Sequence, residues 1–296
     1  KKGFICDMDG VIYHGNTILP NVLEFVHWLQ EENKRFLFLT NGSGRSPKEL
    51  RQKLQRMGLD VDESHFYTSA LATAAFIKSQ NPRATAYVIG DPGLMGALYD
   101  AGITMDDVSP EYVIVGETSN YNSDSIIKAV RYVFNGAKLI GTNPDLTGPS
   151  EQGIVPACRA YVAPIELTTG KVPYYIGKPN PLMMRTGLRM LGVEPEDAVI
   201  VGDRMDTDIV GGVESGLDPI LVLPGVKEFV EWLYREGKSF LFLTNNSGQT
   251  PLELKLKLQN MGMDIDESHF YTSAMATAKF VSEQTHHCSA YVIGEP

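Results

Sequence analysis

Asp7 and Asp9 stand two residues apart, behind the short apolar run Gly3-Phe4-Ile5 and just before Gly10. Open parallel sheets bind their ligands at this kind of position, at the carboxyl ends of the strands. If extended geometry persists through Asp9, alternation puts both carboxylates on one face, so that one can attack while the other transfers a proton. Taken alone, an Asp-x-Asp-Gly after a strand is more often a solvated turn or a capping pair. Further polar groups follow apolar runs in the same way. Thr40-Asn41-Gly42 closes Phe36-Leu37-Phe38-Leu39, Lys178 follows Tyr174-Tyr175-Ile176, and Asp203, Asp206 and Asp208 follow Ala198-Val199-Ile200-Val201. Taken singly, these are turn chemistry, a solvated lysine and caps of a helix N-terminus. Their order along the chain and their shared placement after apolar runs join them into one candidate site.

The elements that must carry these groups alternate. Val22, Phe25, Val26 and Leu29 recur at helical spacing, and Phe36 to Leu39 is a continuous apolar run suited to a buried parallel strand. Ser46-Pro47-Lys48-Glu49 is a capping box with proline at the first helical position, followed by Leu50, Leu54 and Met57 on one face. From about Tyr67 to Pro173 the alternation continues. Ala86 to Ile89, Tyr112 to Val115 and Lys138 to Gly141 are strand-like, and Ile126, Ile127, Val130, Val133 and Phe134 mark a helix with one buried face. This stretch is long enough for an α/β domain of its own. The loop from Thr142 to Gly153, rich in Gly, Pro and Asp, has the composition of a functional loop or of an ordinary solvated connection. Beyond it lie a helix carrying Leu182, Met183, Leu188 and Leu191, the run Ala198 to Val201, and a last strand over Pro219 to Leu223.

Composition narrows the function. The 296 residues are 43% hydrophobic and 21% charged, as in an ordinary soluble protein with a sizeable core. No run approaches a membrane span, and Lys1-Lys2 leads directly into a strand, so a cytoplasmic protein is the simplest expectation. Cys6, Cys158 and Cys288 are far apart and odd in number, which suits reduced thiols better than disulfides or a zinc site. A net charge of −10 argues against a general electrostatic grip on a nucleic acid polymer, and leaves room for a small anionic substrate held by a local cation. His286-His287 is no metal pair, because adjacent residues do not share a helix face.

The end of the chain repeats its beginning. Leu223 to Pro296 aligns without a gap to Leu19 to Pro92, with roughly two-thirds of positions identical. The second copy starts after the aspartate pair and so has no nucleophile of its own. Two copies of one strand and its helices cannot fill one slot in a sheet, so one must lie elsewhere, pair with another chain or remain partly disordered. The expected divisions are 1–70 and 174–224 for a discontinuous core, 71–173 for the insertion, and 225–296 for a truncated repeat of 21–92. Thr40 rather than Thr244 is expected beside Asp7, because its connection from the first strand is short.

With its motifs in this order, the chain resembles the haloacid-dehalogenase-like (HAD) phosphatases, and within them the NagD-like subfamily. The resemblance covers residues 1 to about 224. It is carried by Asp7-Met8-Asp9-Gly10, Thr40-Asn41, Thr142-Asn143-Pro144-Asp145, Gly177-Lys178-Pro179-Asn180-Pro181 and Gly202-Asp203 to Asp208. It implies an α/β fold with a Rossmann-like core and an inserted α/β cap of the C2 type. It also implies Mg²⁺-dependent hydrolysis of small phosphate monoesters such as nucleoside monophosphates, sugar phosphates or aryl phosphates. Asp7 would be the nucleophile and Asp9 the acid and base. Asp7, the Asp9 carbonyl and Asp203 would hold Mg²⁺, with Asp208 in support of the metal's waters or of Lys178. Thr40, Asn41, Gly42 and Lys178 would bind phosphate, Lys178 as a point charge.

Two departures stand out. Gly42 occupies a place where the family commonly has asparagine, which the second copy carries as Asn246. Arg159 stands where relatives usually have a small residue, and Pro164 falls within an expected helix, so either the helix starts near Pro164 or the cap is distorted there. The alternative to a phosphatase is a catalytically inert phosphate-binding scaffold, or a homo-oligomer or domain swap created by the appended copy.

Overall fold

The computed structural model describes residues 1–150, 153–222, 226–244, 248–260 and 262–284. His286-His287, Cys288 and Asn246 lie outside the described residues. Lys1–Pro224 forms one compact unit and Gly225–Pro296 another.

The first unit is built on two parallel sheets of five strands. In one, the order is Asp218–Leu221, Ala198–Gly202, Gly3–Cys6, Arg35–Thr40 and Phe66–Thr68. Gly3–Cys6 is central, with Cys6 opposite Phe38 on one side and Val201 on the other. Its neighbours are apolar over Phe36 to Leu39 and Ala198 to Val201 because helices cover both faces. The pleat divides the side chains. Ile5, Leu37, Leu39 and Ile200 meet Met183, Met184 and Leu188 of the helix Pro181–Leu191. Phe4, Cys6, Phe36, Phe38 and Val201 meet Val26 and Leu29 of the helix Val22–Glu31, and Leu50 and Leu54 of the helix Pro47–Arg56. The capping box is present: the Ser46 hydroxyl accepts the Glu49 N–H at 3.3 Å, and Glu49 accepts the Ser46 N–H at 2.8 Å.

The other sheet has the order Tyr174–Tyr175, Lys138–Gly141, Tyr112–Val115, Thr85–Ile89 and Thr104–Met105, again all parallel. Tyr174–Tyr175 pairs with Lys138–Gly141, so this sheet continues past residue 173, where the sequence reading placed the return to the core. Part of the Thr142 to Gly153 loop is an antiparallel hairpin of Thr147–Ser150 with Gly153–Pro156. The helix Cys158–Thr169 runs through Pro164 and does not begin there. Proline in that position leaves the carbonyl one turn earlier without its helical donor.

The second unit has the element order of Val22 to Gln80. Helix Val226–Arg235, strand Phe242–Thr244, helix Pro251–Asn260, strand Phe270–Thr272 and helix Ser273–Gln284 follow one another, and the two strands are parallel. Local contacts recur too: His65 Nδ1 meets the Phe36 carbonyl at 2.8 Å, and His269 Nδ1 meets that of Phe240 at 2.9 Å. This stretch is a compact unit of its own. Its small core joins Val230, Ile265 and Phe270, whereas Leu243 is 75% exposed and its counterpart Leu39 is fully buried.

Candidate active site

Asp7 extends the central strand, and its N–H donates to the Val201 carbonyl at 2.8 Å, so the sheet sets its position. Cys6 and Met8 on either side belong to the aromatic face of the core, which directs the Asp7 side chain the opposite way. The chain then turns at Gly10, with φ of 84°. A β-carbon there would fall 2.2 Å from Asp203 Oδ2, so glycine both takes the left-handed backbone and admits the second carboxylate. Tyr13 closes the turn: it accepts the Gly10 N–H at 2.8 Å, and its hydroxyl donates to Asp9 Oδ2 at 3.0 Å. Burial, reinforced by Asp9, raises the Tyr13 pKa and keeps that hydroxyl a donor.

Lys178 arrives from far along the chain, through a cis Lys178–Pro179 peptide just ahead of the helix Pro181–Leu191. Its ammonium is buried against Asp7 Oδ1, lies 2.6 Å from Asp208 Oδ1 and 3.4 Å from the Leu39 carbonyl. Burial works against a charge here, but Asp7 and Asp208 outweigh it, and the Lys178 pKa is raised. Burial pushes the Asp7 carboxyl up to about 7; Lys178 offsets part of the rise and Asp208 adds to it.

Thr40 ends the strand beside Gly3–Cys6, and its hydroxyl accepts the Gly42 N–H at 3.0 Å. The Asn41 side chain is occupied within the fold: Oδ1 accepts the Lys178 N–H at 2.7 Å, and Nδ2 donates to the Lys178 carbonyl at 3.1 Å and to Asp145 Oδ2 at 2.9 Å. Any phosphate contact from Asn41 is thus left to its backbone N–H, as the motif implies. Gly177 makes room for this clasp, since a β-carbon would lie 2.6 Å from Asn41 Oδ1.

Carboxylate oxygens of Asp7, Asp203 and Asp208 lie within 4.8 Å of one another. Asp208 is fully buried, with Oδ1 in an ion pair 2.6 Å from the Lys178 ammonium and Oδ2 accepting the Arg204 N–H at 3.2 Å. The ion pair sets Asp208 directly beside Lys178. Asp203 Oδ1 is buried without a hydrogen-bond partner. Burial, then Asp208, raises the Asp203 pKa. An orphaned carboxylate oxygen next to Asp7, among oxygen donors only, fits a hard divalent cation such as Mg²⁺. The Asp9 carboxylate stands outside this cluster, with Tyr13.

Several residues at the site carried no individual signal. Asp145 links the insertion to two separate core loops, through Asn41 and through Arg204 Nη1 at 2.9 Å. Arg204 also grips Asp206 at 2.7 Å, and Asn143 donates to the Asn41 carbonyl at 2.7 Å. Asn143, Asp145 and Arg204 at least lay in stretches marked by polar clustering. Ser43 lay in the polar loop after Leu39, whereas Tyr13 and Glu117 lay in no marked stretch, and only the folded arrangement brings them in.

A family profile described as haloacid dehalogenase-like hydrolase matches residues 4–104 and 207–296, and a HAD-hydrolase-like profile matches residues 175–236. Dihydroxyacetone phosphatase of Corynebacterium glutamicum (strain R) is 44% identical over 228 residues, spanning 77% of this chain and 83% of that protein. Ribonucleotide monophosphatase NagD of Escherichia coli (strain K12) is 44% identical over 225 residues, spanning 76% of this chain and 88% of that one. The solved structure of NagD from the K-12 strain has a TM-score of 0.72 at 43% identity, covering 78% of this chain and 90% of its own. The p-nitrophenyl phosphatase from Archaeoglobus fulgidus has a TM-score of 0.73 at 35% identity, covering 81% and 94%.

Proposed function

The chain belongs to the haloacid dehalogenase-like hydrolases and is a phosphatase of the NagD-like kind, and from that premise we propose that it hydrolyses small phosphate monoesters by way of a phosphoryl group carried on Asp7. The observation that carries this reading is the buried set of Asp7, Lys178 and Asp208, with the unpartnered Asp203 oxygen beside it. Asp7 attacks phosphorus with the oxygen turned away from Lys178, and the ester oxygen leaves with a proton from Asp9. Asp9 then takes a proton from water as that water attacks the phosphoryl group, and phosphate departs as Asp7 is restored. Tyr13 orients Asp9 for both transfers. Lys178 favours the ionised form of Asp7 against burial and offsets the repulsion between its carboxylate and the phosphate. The Asn41 N–H and the Thr40 hydroxyl donate to the phosphate oxygens, while the Gly42 and Ser43 N–H groups are held within the fold by Thr40 Oγ1 and Glu117. Asp7 and Asp203, with the Asp9 carbonyl, would hold Mg²⁺, which supplies charge neutralisation to the transferring group. Monoester hydrolysis is slow enough uncatalysed to call for accelerations of up to ~10²¹, so this many charge contacts is proportionate.

Residues 71–173 act as a cap, and the hairpin Thr147–Ser150 and Gly153–Pro156, with exposed Leu146 and Ile154, meets the leaving group. The names of the relatives, which include ribonucleotide, acid sugar and dihydroxyacetone phosphatases, favour small polar leaving groups. Phosphate release from nucleoside, sugar and aryl phosphates, with and without Mg²⁺, tests the reading alongside Asp7→Asn. Metal-dependent turnover lost in the folded variant is the expected result. Near-parental activity in Asp7→Asn would overturn the role of Asp7, and no turnover with Mg²⁺ still bound would leave an inert scaffold.

A further inference from the structure

Glu117 follows the strand Tyr112–Val115 in the inserted domain, yet its carboxylate faces the core loop after Thr40. Oε2 accepts the Ser43 N–H at 2.6 Å and also the Ser43 hydroxyl, while the Glu117 N–H donates to Ser43 Oγ at 3.0 Å. Oε1 accepts Asn143 Nδ2 at 2.7 Å, and the same Nδ2 donates to the Asn41 carbonyl at 2.7 Å. Ser69 Oγ reaches that carbonyl as well, at 2.5 Å. Ser43 and Asn143 are both fully buried, so neither donor has water as a substitute partner. Burial raises the Glu117 pKa, and the bonds from Ser43 and Asn143 offset part of that rise. Carboxylate and donors therefore depend on one another.

Gly42 is exposed between buried Asn41 and Ser43, so the loop is fastened on both flanks and bare at its tip. The structure assigns Glu117 the part of a positioning residue: it holds the Thr40 to Ser43 loop from behind, directly at Ser43 and through Asn143 at Asn41, so that the loop is pre-formed for phosphate. This rests on the reading of that loop as the phosphate-binding one. Because Asn41 also clasps Lys178 on both its N–H and its carbonyl, the same support extends to the segment bearing the ammonium. Preorganisation of this kind acts on rate, since a shift of about 1 Å in a binding loop can cost ~10²-fold.

The test compares Glu117→Gln, Glu117→Ala and Ser43→Ala in the full chain. Glutamine keeps the shape but must turn an NH₂ toward either the Ser43 N–H or the Asn143 amide, so one bond is lost in any rotamer. Glu117→Gln is expected to lower kcat/KM for an aryl phosphate by about tenfold to a hundredfold and to weaken inhibition by inorganic phosphate in parallel. Its thermal midpoint should stay within a few degrees of the parent. Ser43→Ala should add little on top of Glu117→Ala, because both remove the same support. Parental kinetics and parental phosphate affinity in Glu117→Gln would overturn the inference, as would a lowered midpoint with phosphate affinity unchanged. Should Glu117→Ala fail to fold, the other two variants decide. If the parental chain turns over no phosphate ester, the phosphatase reading fails separately, and binding of inorganic phosphate by calorimetry still decides the role of Glu117.

Discussion

Lys178 meets Asp7 and Asp208 at the centre of the candidate site. One ammonium serves Asp7 and Asp208, both buried, with Asp203 close by, so the site carries more negative than positive charge before any phosphate enters. A cation that leaves such a place strands its partners, and breaking a buried pair costs about 3–5 kcal/mol. Lys178→Met should therefore lower both stability and turnover. Urea denaturation is expected to show that loss, and kcat/KM at saturating Mg²⁺ is expected to fall by at least ~10²-fold, the scale of losing one oxyanion-stabilising donor. An unchanged kcat/KM in a folded Lys178→Met protein would remove Lys178 from the chemistry. Asp9 stands apart from this cluster, its carboxylate held by Tyr13. On the proposed reading, division of the two aspartates between different partners would let one be a nucleophile and the other an acid.

Elements were legible in the chain where a single pattern governs them. The run Phe36 to Leu39 reads as a buried strand because both faces of that strand are covered, and it is one. The box at Ser46 and Glu49 reads as a helix start because its two bonds are local, and both are made. Asp7, Lys178, Asp203 and Asp208 were legible as an ordered set of strand-end groups. Glu117 was not, since a lone glutamate after a strand has no periodicity, and its partner Ser43 is remote in sequence. Nor was the pairing of Tyr174–Tyr175 with Lys138–Gly141, because two residues are too few to show which sheet they join. Local bonds also make local predictions. The Ser46 backbone and hydroxyl hold the Glu49 carboxyl below its ordinary 4.5. A lowered carboxyl contributes stability above its unfolded pKa and loses it as pH falls through the folded value. Ser46→Ala should cost about 1 kcal/mol at pH 7. Denaturation curves at pH 3 should show a smaller difference, and a difference independent of pH would deny the Glu49 half of the box.

For the whole molecule, every candidate site residue lies within Lys1–Pro224, while what precedes the first helix of the second unit is the strand Asp218–Leu221 and not an Asp-x-Asp turn. Removal of residues 225–296 should leave phosphate release intact. Thr40→Ala should reduce it and Thr244→Ala should not; the reverse pattern would place the second copy in the site. Among the described residues no helix is long and apolar enough to cross a membrane. One connection within the first unit has a mechanical side. Tyr174–Tyr175 is an edge strand of the inserted domain's sheet, and only Ile176 and Gly177 separate it from Lys178. The ammonium is thus mounted at the end of a short lever whose other arm is the inserted domain. On the proposed reading, in which that domain meets the leaving group, a shift of the domain to admit a bulkier ester would act on the charge beside Asp7, so substrate range and catalytic speed would be geared together.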